Sequence, residues 1–285
     1  MSKIEELNTN IFPTWCPGCG NFAILSAFKN AAVQKGWDNS NTVLVAGIGC
    51  HGNILNFIKL TSFEGLHGRS IPVATGIKLA NHRLNVFCFM GDGDGLGEGG
   101  NHLVHACRRN HDLTVLIHDN GLYSLTTGQT SPTAPHGFKS KSTPLGNPDY
   151  PVNPVALAIA SGSTFVARVY AANIPKLTEI IIKANEHKGM SVVDILQPCF
   201  TFNKEYTNQF YQQNTYWLGE DHDPINKEVA FKKAQEWGEK QIPLGIFYQV
   251  EKPSFEEDLP QLKEKTLIED APLQRDLTEL FKKYS

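Results

Sequence analysis

Gly91-Asp92-Gly93-Asp94-Gly95-Leu96-Gly97-Glu98-Gly99-Gly100 stands between a stretch of strand character and a stretch of helical character. The preceding Asn85-Val86-Phe87-Cys88-Phe89-Met90 has the β-branched and aromatic content of a buried strand. Glycines at a strand end let the backbone approach a ligand closely. A helix opening behind them turns its free N–H groups and its dipole toward an anion such as a diphosphate. A diphosphate needs a counter-cation, and Asp92 and Asn120 are hard oxygen ligands of the kind Mg²⁺ prefers. The strand expected over Leu113–Ile117 returns Asn120 to the sheet edge that carries Asp92.

On either side the pattern repeats. Residues up to about Thr14 read as an exposed arm, followed by the tight turn Trp15-Cys16-Pro17-Gly18-Cys19-Gly20 and a helix over Phe22–Gln34. A strand over Asn41–Ala46 ends at Gly47-Ile48-Gly49-Cys50-His51-Gly52. Residues 53–65 read as helical or irregular, and Pro72–Asn81 as a helix. The polar, Pro- and Gly-rich stretch from Gly121 to about Pro154 is long enough to mark a functional loop. Beyond it come a helix (Pro154–Gly162), a strand (Thr164–Val169), a helix (Ile174–Lys188) and a strand (Ser191–Leu196) that delivers Gln197-Pro198-Cys199. Pro243–Val250 reads as one more strand. Alternating strands and helices predict an α/β fold, a parallel sheet with helices on both faces. Ligands of such sheets sit beyond the carboxyl ends of the strands. Cys50, Asp92, Asn120 and Cys199 all follow expected strands, so that rim is the candidate site. The organisation expected is one main domain over residues 1–205 and a C-terminal extension, 206–285, peripheral or in contact with another subunit.

Composition excludes several classes. With 285 residues, 41% hydrophobic, 19% charged and a net charge of −3, the chain reads as an ordinary globular protein with no electrostatic reason to bind nucleic acid or an anionic membrane. No apolar run approaches the ~20 residues of a membrane-spanning helix. The first residues lack the basic-then-apolar shape of a signal peptide, so a cytoplasmic location is expected.

The six cysteines do not suggest a disulfide framework in such a chain. Cys16-Pro17-Gly18-Cys19 alone fits half a zinc knuckle, a redox pair or half an iron–sulfur site, and a second zinc-binding half is absent. Cys16, Cys19, Cys50 and Cys199 are four loop-borne thiols of the kind that hold a 4Fe–4S cluster. Spacing leaves that reading open beside one of scattered structural cysteines. Cys88, inside a strand, and Cys107, on a helix, read as plain buried thiols. Of the histidines, His102, His105, His111 and His118 read as structural, and His67, between glycines, as facing a ligand. The aromatic residues from Phe210 to Trp217 read as packing.

Gly91-Asp92-Gly93, with Asn120 one helix and one strand later, resembles the thiamine-diphosphate fingerprint. Further motifs occur in one family's order: Trp15 to Gly20, Gly47-Ile48-Gly49-Cys50, Leu66-His67-Gly68-Arg69 and Ala74-Thr75-Gly76-Ile77-Lys78-Leu79-Ala80-Asn81. Gly91-Asp92-Gly93-Asp94, Gly128-Gln129 with Ser131-Pro132-Thr133, and Gln197-Pro198-Cys199 complete the series. Together they resemble the β subunit of the 2-oxoacid:ferredoxin oxidoreductases, over roughly residues 12 to 205.

The resemblance implies a thiamine-diphosphate-binding fold, the diphosphate half, with Cys16, Cys19, Cys50 and Cys199 on one 4Fe–4S cluster. It implies Mg²⁺ on Asp92, Asn120 and the Leu122 carbonyl, and thiamine diphosphate against Ile48, Gly49, Cys50, His51, His67, Gly93, Asp94, Ser124 and Leu125. The activity implied is oxidative decarboxylation of a 2-oxoacid, pyruvate-like or 2-oxoglutarate, with coenzyme A as cosubstrate and ferredoxin as electron acceptor. Only His67 stands out as a possible catalytic side chain. The missing pyrimidine-binding half implies a partner, an α or fused γα subunit. Many relatives have Lys where this chain has Thr127, which weakens the expectation of a dicarboxylate substrate, and Ser124 replaces a glycine. Two other classes fit parts of the sequence: a non-oxidative thiamine-dependent decarboxylase or synthase with idle cysteines, and a zinc-stabilised module without catalysis.

Overall fold

A computed structural model describes residues 3–238, 241–270 and 276–284. Its frame is an eight-stranded sheet made of β1 (Thr42–Ala46), β2 (Thr61–Glu64), β3 (Asn85–Gly91), β4 (Thr114–Asp119), β7 (Phe165–Tyr170), β8 (Ser191–Leu196), β9 (Thr215–Trp217) and β10 (Ile242–Gln249), in the order β2-β1-β3-β4-β8-β7-β10-β9. The first six strands along that order run parallel, and β10 pairs antiparallel with β7. The short strands β5 (Leu122–Tyr123) and β6 (Gln129–Thr130) form a separate hairpin.

Strand periodicity sorts the core into two layers. Phe87 and Phe89 of β3 pack with Ile24 and Phe28 of α1 (Gly20–Lys35) and Leu177 and Ile181 of α5 (Ile174–Glu186). Val86, Cys88 and Met90 pack on the opposite face against α2 (Ser70–Ala80), α3 (Gly100–Arg109), α4 (Pro154–Ser161) and α7 (Lys227–Ala234). Between these helices in sequence, α6 (Asn208–Asn214) brings Tyr211 into a smaller cluster with Tyr170 and Leu196. Burying both faces explains why the central strands read as nearly continuous apolar runs. Local signals set the helix starts. Asn153 and Asn173 accept hydrogen bonds from Ala156 N and Lys176 N, each with a proline in the first turn.

Two expectations need correction. Within 53–65, Thr61–Glu64 is an edge strand parallel to β1, and its four residues are exposed, so no apolar run announces it. The segment after residue 205 is not peripheral through its first half. β10 extends the main sheet, and Phe247, Ala230 and Ala234 are fully buried in the second core layer. No helix among the described residues is long and apolar enough to cross a membrane.

Inside the second layer, Arg168 of β7 meets Asp194 of β8 at 2.8 Å, both side chains fully buried. The guanidinium also reaches Asn153 Oδ1 at 3.3 Å and lies over the rings of Trp237 and Phe247. Removing one partner of such a pair leaves an uncompensated charge, at a cost of about 3–5 kcal/mol. Asp194→Ala is expected to lose about that much in chemical unfolding. A loss below about 1 kcal/mol would mean that Asn153 and the two rings satisfy Arg168 without the carboxylate.

Candidate functional site at the carboxyl rim of the sheet

β1 has β2 on one side and β3 on the other, so chain order reverses there, and the crevice beyond β1 and β3 is where this class of sheet holds ligands. The loop after β1 supplies Ile48, Gly49, Cys50 and His51. The loop after β3 supplies Asp92, Gly93 and Asp94, and Asn120, Leu122, Tyr123, Ser124, Leu125 and Thr126 follow β4. With His67, His118 and Gln197, these residues line a single cavity. Every expected thiamine-diphosphate and Mg²⁺ residue therefore faces one space.

Asp94 holds the near side together. It lies in one π-helical turn (Gly93–Glu98), and its Oδ1 accepts from Ile48 N at 3.2 Å, Gly68 N at 2.7 Å and His67 Nδ1 at 2.7 Å. Oδ2 lies 3.4 Å from His51 Nε2. Burial pushes this carboxyl upward, but His51, the Gly68 N–H and His67 outweigh it and hold the group below the usual carboxylate range. Gly47 makes the arrangement possible, since a Cβ there would sit 2.0 Å from Asp94 Oδ2.

On the far side, Asp92 Oδ2 accepts from the hydroxyls of Ser131 and Thr133. Thr133 Oγ1 lies 2.6 Å from Asp92 Oδ2 and 2.7 Å from Asp119 Oδ1. A hydroxyl has one proton, so it satisfies only one of these carboxylates at a time. Burial, and then the charges of Asp194 and Asp92, push Asp119 well above the carboxylate range, while burial also raises Asp92. At this rim the buried Asp92 and Asp119 lie on one shared hydroxyl, while the Arg168 guanidinium beneath is taken up by Asp194, a setting a divalent cation suits.

Cys16, Cys19, Cys50 and Cys199 line a neighbouring cavity of about 260 Å³, together with Trp15, Phe200 and Phe202. Trp15 Nε1 donates to the Cys50 carbonyl at 2.7 Å, which ties the N-terminal turn to the β1 loop. The Cys50 thiol is pushed up to about 12 by burial first and then by Cys19, Cys199 and Cys16, and burial also raises Cys19. Among the described residues no three His, Cys, Asp or Glu side chains converge on a single ion. The thiols surround a volume instead. Both cavities share Cys50, Asn120, Ser124, Leu125 and Gln197.

Several lining residues carry no signal in the sequence. His118, whose place in an apolar strand reads as structural, lines the cavity with Nε2 buried and unpartnered, as is Gln197 Oε1. Tyr123 and Thr126 also line the site without a local pattern that singles them out, while Gln197, Ser131 and Thr133 stand out only as parts of motifs. Thr127 does not line the cavity but turns the loop beside it, in a left-handed backbone (φ 79) unusual for a β-branched residue. Its Oγ1 accepts from Lys141 Nζ at 3.3 Å. Arg69 donates to the Gly68 and Glu98 carbonyls.

Thiol chemistry gives a direct check. Cys88 and Cys107 are fully buried, and burial pushes both thiols up to about 12. Alkylation of the metal-free chain followed by mass spectrometry should mark exposed Cys16 first, and Cys88 and Cys107 only after unfolding. Early labelling of Cys88 would contradict the packing of β3.

Known proteins share the sequence pattern and the fold. Residues 47–195 match the family model "Thiamine pyrophosphate enzyme, C-terminal TPP binding domain", and residues 199–264 match the model for the C-terminal part of the pyruvate ferredoxin oxidoreductase beta subunit. The chain is 48% identical over 271 residues to the 2-oxoacid:ferredoxin oxidoreductase subunit beta of Saccharolobus solfataricus, covering 90% of this chain and 88% of the relative. It is 45% identical over 201 residues to the 2-oxoglutarate synthase subunit KorB of Archaeoglobus fulgidus, covering 70% and 75%. A solved 2-oxoglutarate:ferredoxin oxidoreductase from Magnetococcus marinus, with 2-oxoglutarate, coenzyme A and succinyl-CoA bound, superposes with a TM-score of 0.90 at 34% identity, over 99% of this chain and 96% of that one. The fold is therefore a thiamine-diphosphate-binding fold, and the chain belongs to the β-subunit family of the 2-oxoacid:ferredoxin oxidoreductases.

Proposed function

We propose that this chain, paired with an α or fused γα subunit, carries out coenzyme A-dependent oxidative decarboxylation of a 2-oxoacid to acyl-CoA and CO₂, with ferredoxin taking the electrons. The observation that carries the reading is the shared wall: five residues border both the cavity of the diphosphate fingerprint and the cavity of the four thiols.

The residues fit the groups the family implies. Two buried polar atoms without a partner, His118 Nε2 and Gln197 Oε1, belong to residues that border one cavity, and such atoms are costly unless a ligand satisfies them. Asp92, Asn120 and the Leu122 carbonyl would hold Mg²⁺, where buried carboxylates lack a cation. Ile48 to His51, His67, Gly93, Asp94, Ser124 and Leu125 would hold thiamine diphosphate. Cys16, Cys19, Cys50 and Cys199 would hold a 4Fe–4S cluster, whose binding deprotonates its thiols, including Cys19 and Cys50, which burial keeps neutral. Thiamine diphosphate supplies the nucleophilic carbon and electron sink for decarboxylation, and a 4Fe–4S cluster accepts electrons singly. The chain orients and encloses these groups. Asp94 fixes the Ile48 and Gly68 backbones on one side, and Ser131 and Thr133 fix Asp92 on the other. A colourless, non-oxidative enzyme would leave four thiols lining one cavity without a role.

The mouth is unfinished. Leu66, beside His67, is 77% exposed and Leu125 is 51% exposed, large apolar residues where a partner would close the site. In this reading residues 1–205 form the cofactor-bearing unit, and the segment from 206 onward completes the sheet through β9 and β10.

Lys141 bears on the substrate. Thr127 lacks the charge many relatives carry at its position, yet its hydroxyl receives the Lys141 ammonium, so the loop tip beside Thr126 carries a cation after all. Holding Thr127 left-handed costs on the order of 1–3 kcal/mol, which marks a tip shaped for a purpose. This supports an oxoacid with a second carboxylate, consistent with the 2-oxoglutarate named for two of the proteins it resembles.

With the partner co-expressed, the complex should reduce ferredoxin or a viologen dye only when both a 2-oxoacid and coenzyme A are present. Aldehyde formation without acceptor reduction would favour the non-oxidative reading instead. Lys141→Met should lower kcat/KM for 2-oxoglutarate roughly ten-fold, the scale of one charge-assisted hydrogen bond, and leave pyruvate nearly unchanged. Equal losses for both acids would remove the charge-based account of preference.

A further inference from the structure

Gln197 follows β8 directly and is 2% exposed. Its backbone N–H donates to the Asp119 carbonyl at 2.7 Å, so its Cα is held at the sheet rim. Its side chain borders both cavities, and Nε2 lies 3.5 Å from Cys19 Sγ, within reach for an N–H···S hydrogen bond. The other end of the amide, Oε1, is buried without a partner. Gly20 makes room for this placement: a Cβ there would stand 2.6 Å from Gln197 Cγ. Gly20 N also donates to the Pro198 carbonyl at 3.4 Å, which joins the start of α1 to the segment that carries Gln197 and Cys199.

The chemistry of the pair is directional. A thiolate bound to iron is an acceptor only, so the amide must present its N–H₂ to sulfur, and a charge-assisted bond forms. A cluster gains one negative charge on reduction, and donors to its sulfurs favour the reduced form. We infer that Gln197 is a positioning residue that donates to the Cys19 sulfur and raises the reduction potential of the cluster beside the thiamine-diphosphate cavity. The inference rests on the cluster assigned under the proposed function. It adds a role that the four-cysteine assignment does not contain. Its consequence is directional: the amide makes the cluster a better acceptor at the wall the two cavities share.

The test uses the complex with its partner subunit, purified without oxygen. Iron and thiamine diphosphate contents are measured first, then the midpoint potential by redox titration followed by electron paramagnetic resonance. Gln197→Leu removes the donor at similar size, and Gln197→Glu replaces it with a group that cannot donate when ionised. Both variants should keep their iron and thiamine diphosphate and shift the midpoint to more negative values, Gln197→Glu further because it adds a charge. An unchanged midpoint in an iron-replete Gln197→Leu complex would overturn the inference. Loss of iron from both variants, with thiamine diphosphate retained, would also overturn it, because Gln197 would then support cluster assembly rather than tune it. Absence of a 4Fe–4S signal from the wild-type complex would instead overturn the reading of the cysteines, before any variant is compared.

Discussion

One buried carboxylate organises the near half of the site. Asp94 is 2% exposed and gathers backbone donors from the β1 loop and from the turn before α2, together with two histidines, onto a single side chain. A buried carboxylate without donors would be costly. The loops that supply them are therefore held by that cost as much as by their own packing. Gly47 belongs to the same constraint, because any side chain there would occupy the space of the carboxylate. The cavity-lining backbone of residues 48–51 is thus anchored by the protein's own groups, the kind of preorganisation a cofactor enzyme needs.

The opposite half works through unresolved charge. Asp92 and Asp119 share one hydroxyl donor, and Asp194 takes up the guanidinium of Arg168. This is a poor way to stabilise an empty fold and a sensible way to receive a divalent cation, since the cation satisfies several acceptors at once. The thiols repeat the theme in another chemistry. Burial and mutual proximity keep Cys50 and Cys19 neutral in the empty chain, and iron would reverse that preference. In the proposed function the partners of these groups come from outside the polypeptide.

Much of this was legible in the sequence because the sheet is buried on both faces. The strands that became β1, β3, β4, β7 and β8 announce themselves as apolar runs, and the loops after them are marked by glycine, asparagine and cysteine. The edge strand β2 was not legible, since Thr61-Ser62-Phe63-Glu64 is exposed and carries no core pattern. Nor was the part played by residues 242–249, whose antiparallel pairing with β7 depends on a contact far away in sequence. At the site, residues on the glycine-rich motifs could be named in advance. His118 could not, because a histidine inside an apolar strand looks like packing until the cavity at the strand end is seen. Gln197 and Lys141 acquire their meaning only when the fold brings them to Cys19 and Thr127.

The proposed function has the two cavities loaded together. The most direct test is metal and cofactor analysis of the complex, co-expressed with its partner and purified without oxygen. About four irons and one thiamine diphosphate per β chain are expected, the content of one cubane cluster beside one cofactor. Zinc, or no metal at the cysteines, with thiamine diphosphate still bound would contradict this and leave the four thiols as an idle feature of a non-oxidative enzyme.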